Sequence, residues 1–253
     1  MAARKPLIAG NWKMYGRRAS LAELGALWSS ISGVADRVES LICPPAVLVA
    51  AAAEAAKNTG VAIGAQDCSA FGEDSARTGE VNAAMLADVG ASYVIVGHSE
   101  RRSFHGESDG LVRRKAEAAL AAGLTPIICV GETEAERAAG KLKEVVSAQV
   151  RGSVPEMTAA MVVAYEPVWA IGGNSTPTPP EIAEAHGIIR QALAESLGEG
   201  AAQATRILYG GSVGPKNATE IFSAEGVDGA LVGRASLKAA DFSAIILAHP
   251  AAK

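Results

Sequence analysis

Aromatic residues are scarce in this chain, 4% of 253 positions, so aliphatic and small side chains must build most of its core. Cysteine is scarcer still, with three residues, Cys43, Cys68 and Cys129, at wide spacing. An odd number with no Cys-x-x-Cys or Cys/His ligand pattern argues against a disulfide framework or a zinc site. Free thiols point to a reducing cytoplasm. Charge of one sign is also lacking: 23 basic against 27 acidic side chains leave a net charge of −4. Nucleic acid or an anionic membrane surface would need clustered Lys and Arg, so neither is an expected partner. No uncharged stretch reaches the ~18 residues that suggest a membrane span. The N-terminus, broken by Gly10 and Asn11, does not read as a signal peptide. The strings G-x-G-x-x-G, G-x-x-x-x-G-K-[ST] and H-E-x-x-H are missing, which removes the commonest nucleotide and zinc-protease readings.

What is present is a soluble, core-forming composition, 49% hydrophobic and 20% charged. The length allows one domain or two. No Ser- or Pro-rich linker and no shift in charge divides the chain, so residues 1–253 read as a single domain. Short apolar runs without polar alternation mark eight strands buried on both faces: Leu7–Asn11, Val38–Cys43, Val61–Gln66, Tyr93–Gly97, Thr125–Val130, Met161–Glu166, Arg206–Gly210 and Gly229–Val232. Helical periodicity lies between them. Thr133 to Glu136 and Thr178 to Glu181 match the capping-box pattern, the second with Pro179 at the first helical position. Ile182, Ala185, Ile189 and Leu193 form one apolar stripe, and Phe242, Ile245, Ile246 and His249 another. Eight strand-then-helix units favour an α/β fold, a (β/α)8 barrel of eight parallel strands ringed by helices; on periodicity alone an open doubly wound sheet stays possible.

In such a barrel the chemistry belongs where strands end. The first strand ends in Asn11-Trp-Lys13, the fourth in Gly-His98-Ser99-Glu100, and the sixth in Tyr-Glu166-Pro167-Val168-Trp169. A carboxylate base, an imidazole donor and a cation on one face are a set for moving a proton beside a carbonyl. Glycine is in surplus, 27 residues against a usual ~7%. Gly172-Gly173, Gly210-Gly211-Ser212 and Gly233-Arg234 follow the last three strands, where consecutive backbone N–H groups can hold a phosphate. The strand-end glycines therefore read as room for a phosphorylated substrate. His105, His186 and His249 read as structural or exposed, and Cys129 as a small buried hydrophobe.

Five strings, Asn11-Trp-Lys-Met14, Val94-Ile-Val-Gly-His-Ser-Glu-Arg-Arg102, Ala164-Tyr-Glu-Pro-Val-Trp-Ala-Ile-Gly172, Tyr209-Gly-Gly-Ser-Val213 and Leu231-Val-Gly-Arg-Ala-Ser-Leu237, stand in collinear order over the whole chain. Together they resemble the triosephosphate isomerase family. The resemblance implies a TIM barrel that isomerises dihydroxyacetone phosphate and D-glyceraldehyde 3-phosphate, in glycolysis and gluconeogenesis, with no cofactor or metal. It implies Glu166 as the base, His98 as a neutral proton shuttle, and Lys13 and Asn11 as oxyanion stabilisers. Glu100 and Ser99 would support them from behind. Gly172, Ser212, Gly233 and Arg234 would bind the phosphate, Pro167, Val168 and Trp169 would start a lid, and Tyr209 would meet it. Thr78, Gly79 and Glu80 would reach into the partner of a cytoplasmic homodimer. The chain departs from the family pattern at the lid tip, Gly172-Gly-Asn-Ser175, at Tyr15, at Arg234 and at the entry to the third loop. A sugar-phosphate aldolase with Lys13 as Schiff-base nucleophile and a non-catalytic phosphate-binding barrel are the competing readings.

Overall fold

The apolar runs rich in Val, Ile, Leu and Ala form eight strands: β1 (Leu7–Asn11), β2 (Glu39–Cys43), β3 (Val61–Ala65), β4 (Tyr93–Val96), β5 (Thr125–Val130), β6 (Val162–Tyr165), β7 (Arg206–Tyr209) and β8 (Gly229–Val232). The structure, a computed structural model, describes residues 4–156, 160–171 and 176–253. Each strand pairs in parallel with the next, and β1 pairs with β8, so the sheet closes into a barrel in sequence order. Closure decides against the open doubly wound sheet.

Four expected strands, those ending in Gln66, Gly97, Glu166 and Gly210, run one residue past the regular strand. Gly97 turns out of β4 with φ +65°. Glu166 N–H still donates to the Val130 carbonyl at 2.7 Å, and Gly210 N–H to the Tyr165 carbonyl at 2.7 Å. The ladder pattern thus runs one hydrogen bond past the regular strand.

The ring of helices comprises α1 (Ala22–Ile31), α2 (Val49–Ala56), α3 (Ala83–Asp88), α4 (Ser99–His105), α5 (Asp109–Ala121), α6 (Glu134–Ala138), α7 (Leu142–Ser153), α8 (Pro179–Leu197), α9 (Glu199–Ala204), α10 (Ala218–Ile221) and α11 (Ala239–Ala248). Both expected capping boxes form: Thr133 and Glu136 open α6, and Thr178 and Glu181 open α8, satisfying free N–H groups of the first turn. The stripe Ile182, Ala185, Ile189, Leu193 is buried along α8, and Phe242, Ile245 and Ile246 along α11. His249 lies just past α11 and caps the next turn, its Nδ1 accepting from Ala251 N–H at 3.2 Å.

The period of two splits the core. Leu7, Ala9, Leu41, Ile95, Ile127, Val162, Ala164 and Leu208 fill the barrel interior, while Ile8, Ile42, Val94, Ile128, Val163 and Ile207 meet the helices. At the floor, where strands begin, the interior ends in a polar plug. Arg206 donates to Glu39 at 2.6 Å and to the Tyr93 hydroxyl at 2.9 Å, and that hydroxyl donates to Glu39 at 2.6 Å. Among the described residues no helix is long and apolar enough to cross a membrane.

Candidate active site

The opposite mouth is built by residues that leave the strand ends. Asn11, the last residue of β1, is buried and accepts from Lys13 N–H through Oδ1 at 2.9 Å. Lys13 has φ +51°, a left-handed conformation that a side-chain-bearing residue adopts at a cost. The Asn11 bond and a bond from Gln66 Nε2 to the Lys13 carbonyl, 2.9 Å, hold it there. Lys13 Nζ then lies 2.7 Å from Glu100 Oε1.

His98 caps α4. Its Nδ1 accepts from Glu100 N–H at 3.2 Å, which places the ring proton on Nε2 and makes the imidazole the neutral Nε2–H tautomer. Nε2 lies 2.9 Å from Glu166 Oε1, and Ser99 N–H donates to Glu166 Oε2 at 2.9 Å. Cys129 is a fully buried member of the barrel core, as its sequence context leads one to expect, and burial pushes its thiol well above the ordinary range, away from thiolate chemistry. Burial raises the Glu166 pKa, but His98 and the Ser99 N–H outweigh it and hold it below the usual carboxylate value. Burial conversely lowers that of His98, and the facing Glu166 carboxylate reverses this to a net rise.

The glycines around Glu166 serve packing first. A Cβ at Gly131 would lie 1.8 Å from the Glu166 carbonyl oxygen, and one at Gly210 would lie 2.9 Å from Glu166 Cγ. This corrects the sequence reading of these two positions: the room they leave is filled by Glu166 itself, not by a ligand. Gly233 is different, since a Cβ there would meet only Lys13 Cε, at 3.7 Å. The loop after β8 therefore runs beside the Lys13 side chain. Ser236 and Trp12 tie these two loops together through an indole N–H to carbonyl bond of 3.1 Å.

Residues 6–249 match the family model described as triosephosphate isomerase. The chain belongs to the triosephosphate isomerase family. It is 57% identical over 251 residues to the triosephosphate isomerase of Afipia carboxidovorans, covering 97% of this chain and 98% of that one. It is 52% identical over 250 residues to that of Bradyrhizobium diazoefficiens, covering 98% and 99%. The crystal structure of triosephosphate isomerase from Bartonella henselae superposes with a TM-score of 0.88 at 42% identity, covering 96% of this chain and 98% of that one.

Of the residues singled out by the resemblance to triosephosphate isomerases, the structure brings Asn11, Lys13, His98, Ser99, Glu100 and Glu166 into one connected cluster. Pro167 leads into a short helical turn, Val168–Ala170. Ser212 Oγ donates to the Ala170 carbonyl at 2.8 Å, so the loop after β7 touches the Val168–Ala170 turn. Tyr209 ends β7 fully buried, and its hydroxyl has no partner among the described residues. Gly172 lies outside the described residues. Arg234 is exposed and starts the turn after Gly233. Thr78, Gly79 and Glu80 occupy an exposed loop before α3. Among the described residues no group of three or more His, Cys, Asp or Glu is placed to hold a metal ion.

Two contributors were not singled out from sequence. Gln66 follows β3, and its Nε2 donates to the Cys43 carbonyl at 2.9 Å as well as to Lys13. Glu132, after β5, is fully buried and accepts from Trp169 Nε1 at 2.8 Å and from the Tyr165 hydroxyl at 3.1 Å. Their signal was position: each is a polar residue just past a strand on the mouth side.

Proposed function

We propose that this enzyme interconverts dihydroxyacetone phosphate and D-glyceraldehyde 3-phosphate through an enediolate, as a cytoplasmic homodimer of single-domain subunits serving glycolysis and gluconeogenesis. The observation that carries the reading is the buried Glu166–His98 pair, with Lys13 held beside it in a strained backbone. Glu166 removes a carbon-bound proton and returns it to the neighbouring carbon. Both its oxygens are occupied at rest, so it must leave His98 and the Ser99 N–H to reach a substrate carbon. That movement removes the carboxylate that raises the His98 pKa. The α4 N-terminus and Lys13 remain, and both favour a neutral ring. Neutral His98 can then donate Nε2–H to one substrate oxygen and take a proton from the other, while Lys13 and Asn11 balance the developing oxyanion. Glu100 positions Lys13, and Ser99 sets where the base waits.

The phosphate is assigned to backbone N–H groups of Gly172, Ser212, Gly233 and Arg234. Pro167, Val168 and Trp169 form the lid hinge and Tyr209 receives the closed lid, whose closure excludes water from the enediolate. The dimer reading is supported by the side chains left bare on the loops after the first four strands. Met14, Val47 and, on α4, Phe104 are 95%, 91% and 80% exposed, and Tyr15 and Phe71 are exposed as well, apolar side chains that a second copy would cover. Thr78, Gly79 and Glu80 lie in the same group of loops.

A coupled assay on dihydroxyacetone phosphate tests the assignment. Glu166→Ala should lower turnover by about a thousandfold while leaving the fold intact; near-parental turnover would remove Glu166 as the base. Borohydride trapping of Lys13 with substrate would favour the aldolase chemistry instead.

A further inference from the structure

A cleft of about 120 Å³ borders Glu166 between α4 and the loop that leads from β5 to α6, and Lys13 is not among its lining residues. Its inner end is bounded by Glu166, by Ser99, whose N–H holds the carboxylate at rest, and by Cys129. Its outer end is bounded by Ser103 and Thr133, both exposed. The wall between mixes apolar Val130 and Val168 with polar groups. Arg102 spans it, donating to the carbonyls of Gly97 and Cys129 at 2.9 and 3.1 Å, and the Gln149 amide bonds both backbone groups of Gly131. The volume exceeds what one water needs, and Glu166, Thr133, Arg102 and Gln149 offer a water there polar partners.

We propose that this cleft is a proton port: water in it exchanges the proton carried by Glu166 with bulk solvent, without passage through the substrate side of the site. After Glu166 has taken the substrate's proton, its carboxylic acid lies next to the cleft when it returns toward Ser99. The acid O–H bond breaks as its proton passes to a cleft water, and a solvent proton re-forms the bond. Charge and atoms balance with water as the only co-reactant, and no electron changes hands. The intermediate then receives either the original hydrogen or a solvent one. The port therefore sets how much of the substrate's hydrogen survives isomerisation, not how fast isomerisation proceeds. The proposal rests on Glu166 being the base.

The test follows D-glyceraldehyde 3-phosphate converted in D2O, with proton NMR reading hydrogen against deuterium at C1 of the dihydroxyacetone phosphate formed. Ser103→Leu and Ser103→Met narrow the outer end from an exposed helix position, and Ser103→Ala leaves it open. The Leu and Met variants should lower the deuterium fraction by about half or more with kcat and KM unchanged, and the Ala variant should match the parent. A deuterium fraction unchanged in both larger variants, or lowered equally by Ala, overturns the port. Glu166→Asp separates the two claims. If it cuts turnover while the Ser103 variants leave labelling unchanged, the base stands and the port falls. If it leaves turnover and labelling as in the parent, the base assignment falls and the port with it.

Discussion

Gln66 Nε2 donates to the Lys13 carbonyl at 2.9 Å and holds that residue at φ +51°. The same nitrogen reaches the Cys43 carbonyl at 2.9 Å, so the ends of β1, β2 and β3 are joined by one amide. A non-glycine residue in this conformation costs about 1–3 kcal/mol, which the surrounding bonds must offset. Without them the Lys13 ammonium would drift from its place beside Glu100. Gln66→Ala should therefore lower kcat/KM by about 10- to 100-fold through misplacement alone. Steady-state kinetics check this, and in a Lys13→Ala background the same change should add little.

Glu132 does for the lid stem what Gln66 does for Lys13. Its carboxylate is fully buried and bonded to both the Trp169 indole and the Tyr165 hydroxyl. Glu132→Leu leaves the buried Tyr165 hydroxyl and the half-buried Trp169 indole N–H unpaired and should cost about 2–4 kcal/mol of stability, read from the urea midpoint. Glu132→Gln keeps an acceptor and should recover most of that loss. An equal loss in both would mean that shape, not hydrogen bonding, holds Trp169.

The fold was legible because the signal repeats. Each strand is an apolar run, each helix a stripe, and eight repeats left few arrangements once a linker was missing. The mouth-side rule then found Lys13, His98 and Glu166 because each is a polar residue straight after such a run. Gln66 and Glu132 obey the same rule, yet a lone amide or acid beside a strand has no partner in sequence to mark it. Their partners, Lys13 and Trp169, lie 53 and 37 residues away. The strand-end glycines were visible but not their neighbours, since only the folded chain shows the Glu166 backbone against Gly131. The floor plug was invisible for a further reason: Glu39, Tyr93 and Arg206 stand at strand starts, the end that carries stability rather than chemistry.

That plug predicts a separation of stability from activity. Arg206→Met removes the donor shared by Glu39 and Tyr93 and should lower stability by about 1–3 kcal/mol while leaving kcat unchanged. It also predicts an alkaline limit. Burial, then the bond to Glu39, raises the Tyr93 pKa from 10.0 to about 12. The unfolded chain loses this proton first, so the contribution is complete below pH 10 and is lost as pH rises toward 12. Tyr93→Phe should flatten that part of the curve of urea midpoint against pH.

His186, on α8, predicts an acid limit. His186 is buried, its Nδ1–H donates to the Gly226 carbonyl at 3.0 Å, and its Nε2 has no partner among the described residues. Its ring meets Tyr165 edge-on at 6.0 Å, the tyrosine whose hydroxyl is bound by Glu132. Burial lowers the His186 pKa from 6.5 to about 4, because nothing near Nε2 accepts a second proton's charge. The unfolded chain binds that proton more readily, so stability is fully present above pH 6.5 and is lost as pH falls toward 4. A displacement of this size corresponds to about 3 kcal/mol between the two limits. Protonation would force an imidazolium against Tyr165, so the loss should reach the lid stem as well as the helix. His186→Asn keeps a donor for Gly226 and cannot titrate. Its urea midpoint should start lower at pH 7 and then stay nearly flat to pH 4.5, where the parent falls. Parallel slopes for the two proteins would place the acid limit elsewhere, in the Glu166–His98 pair or in the buried carboxylates.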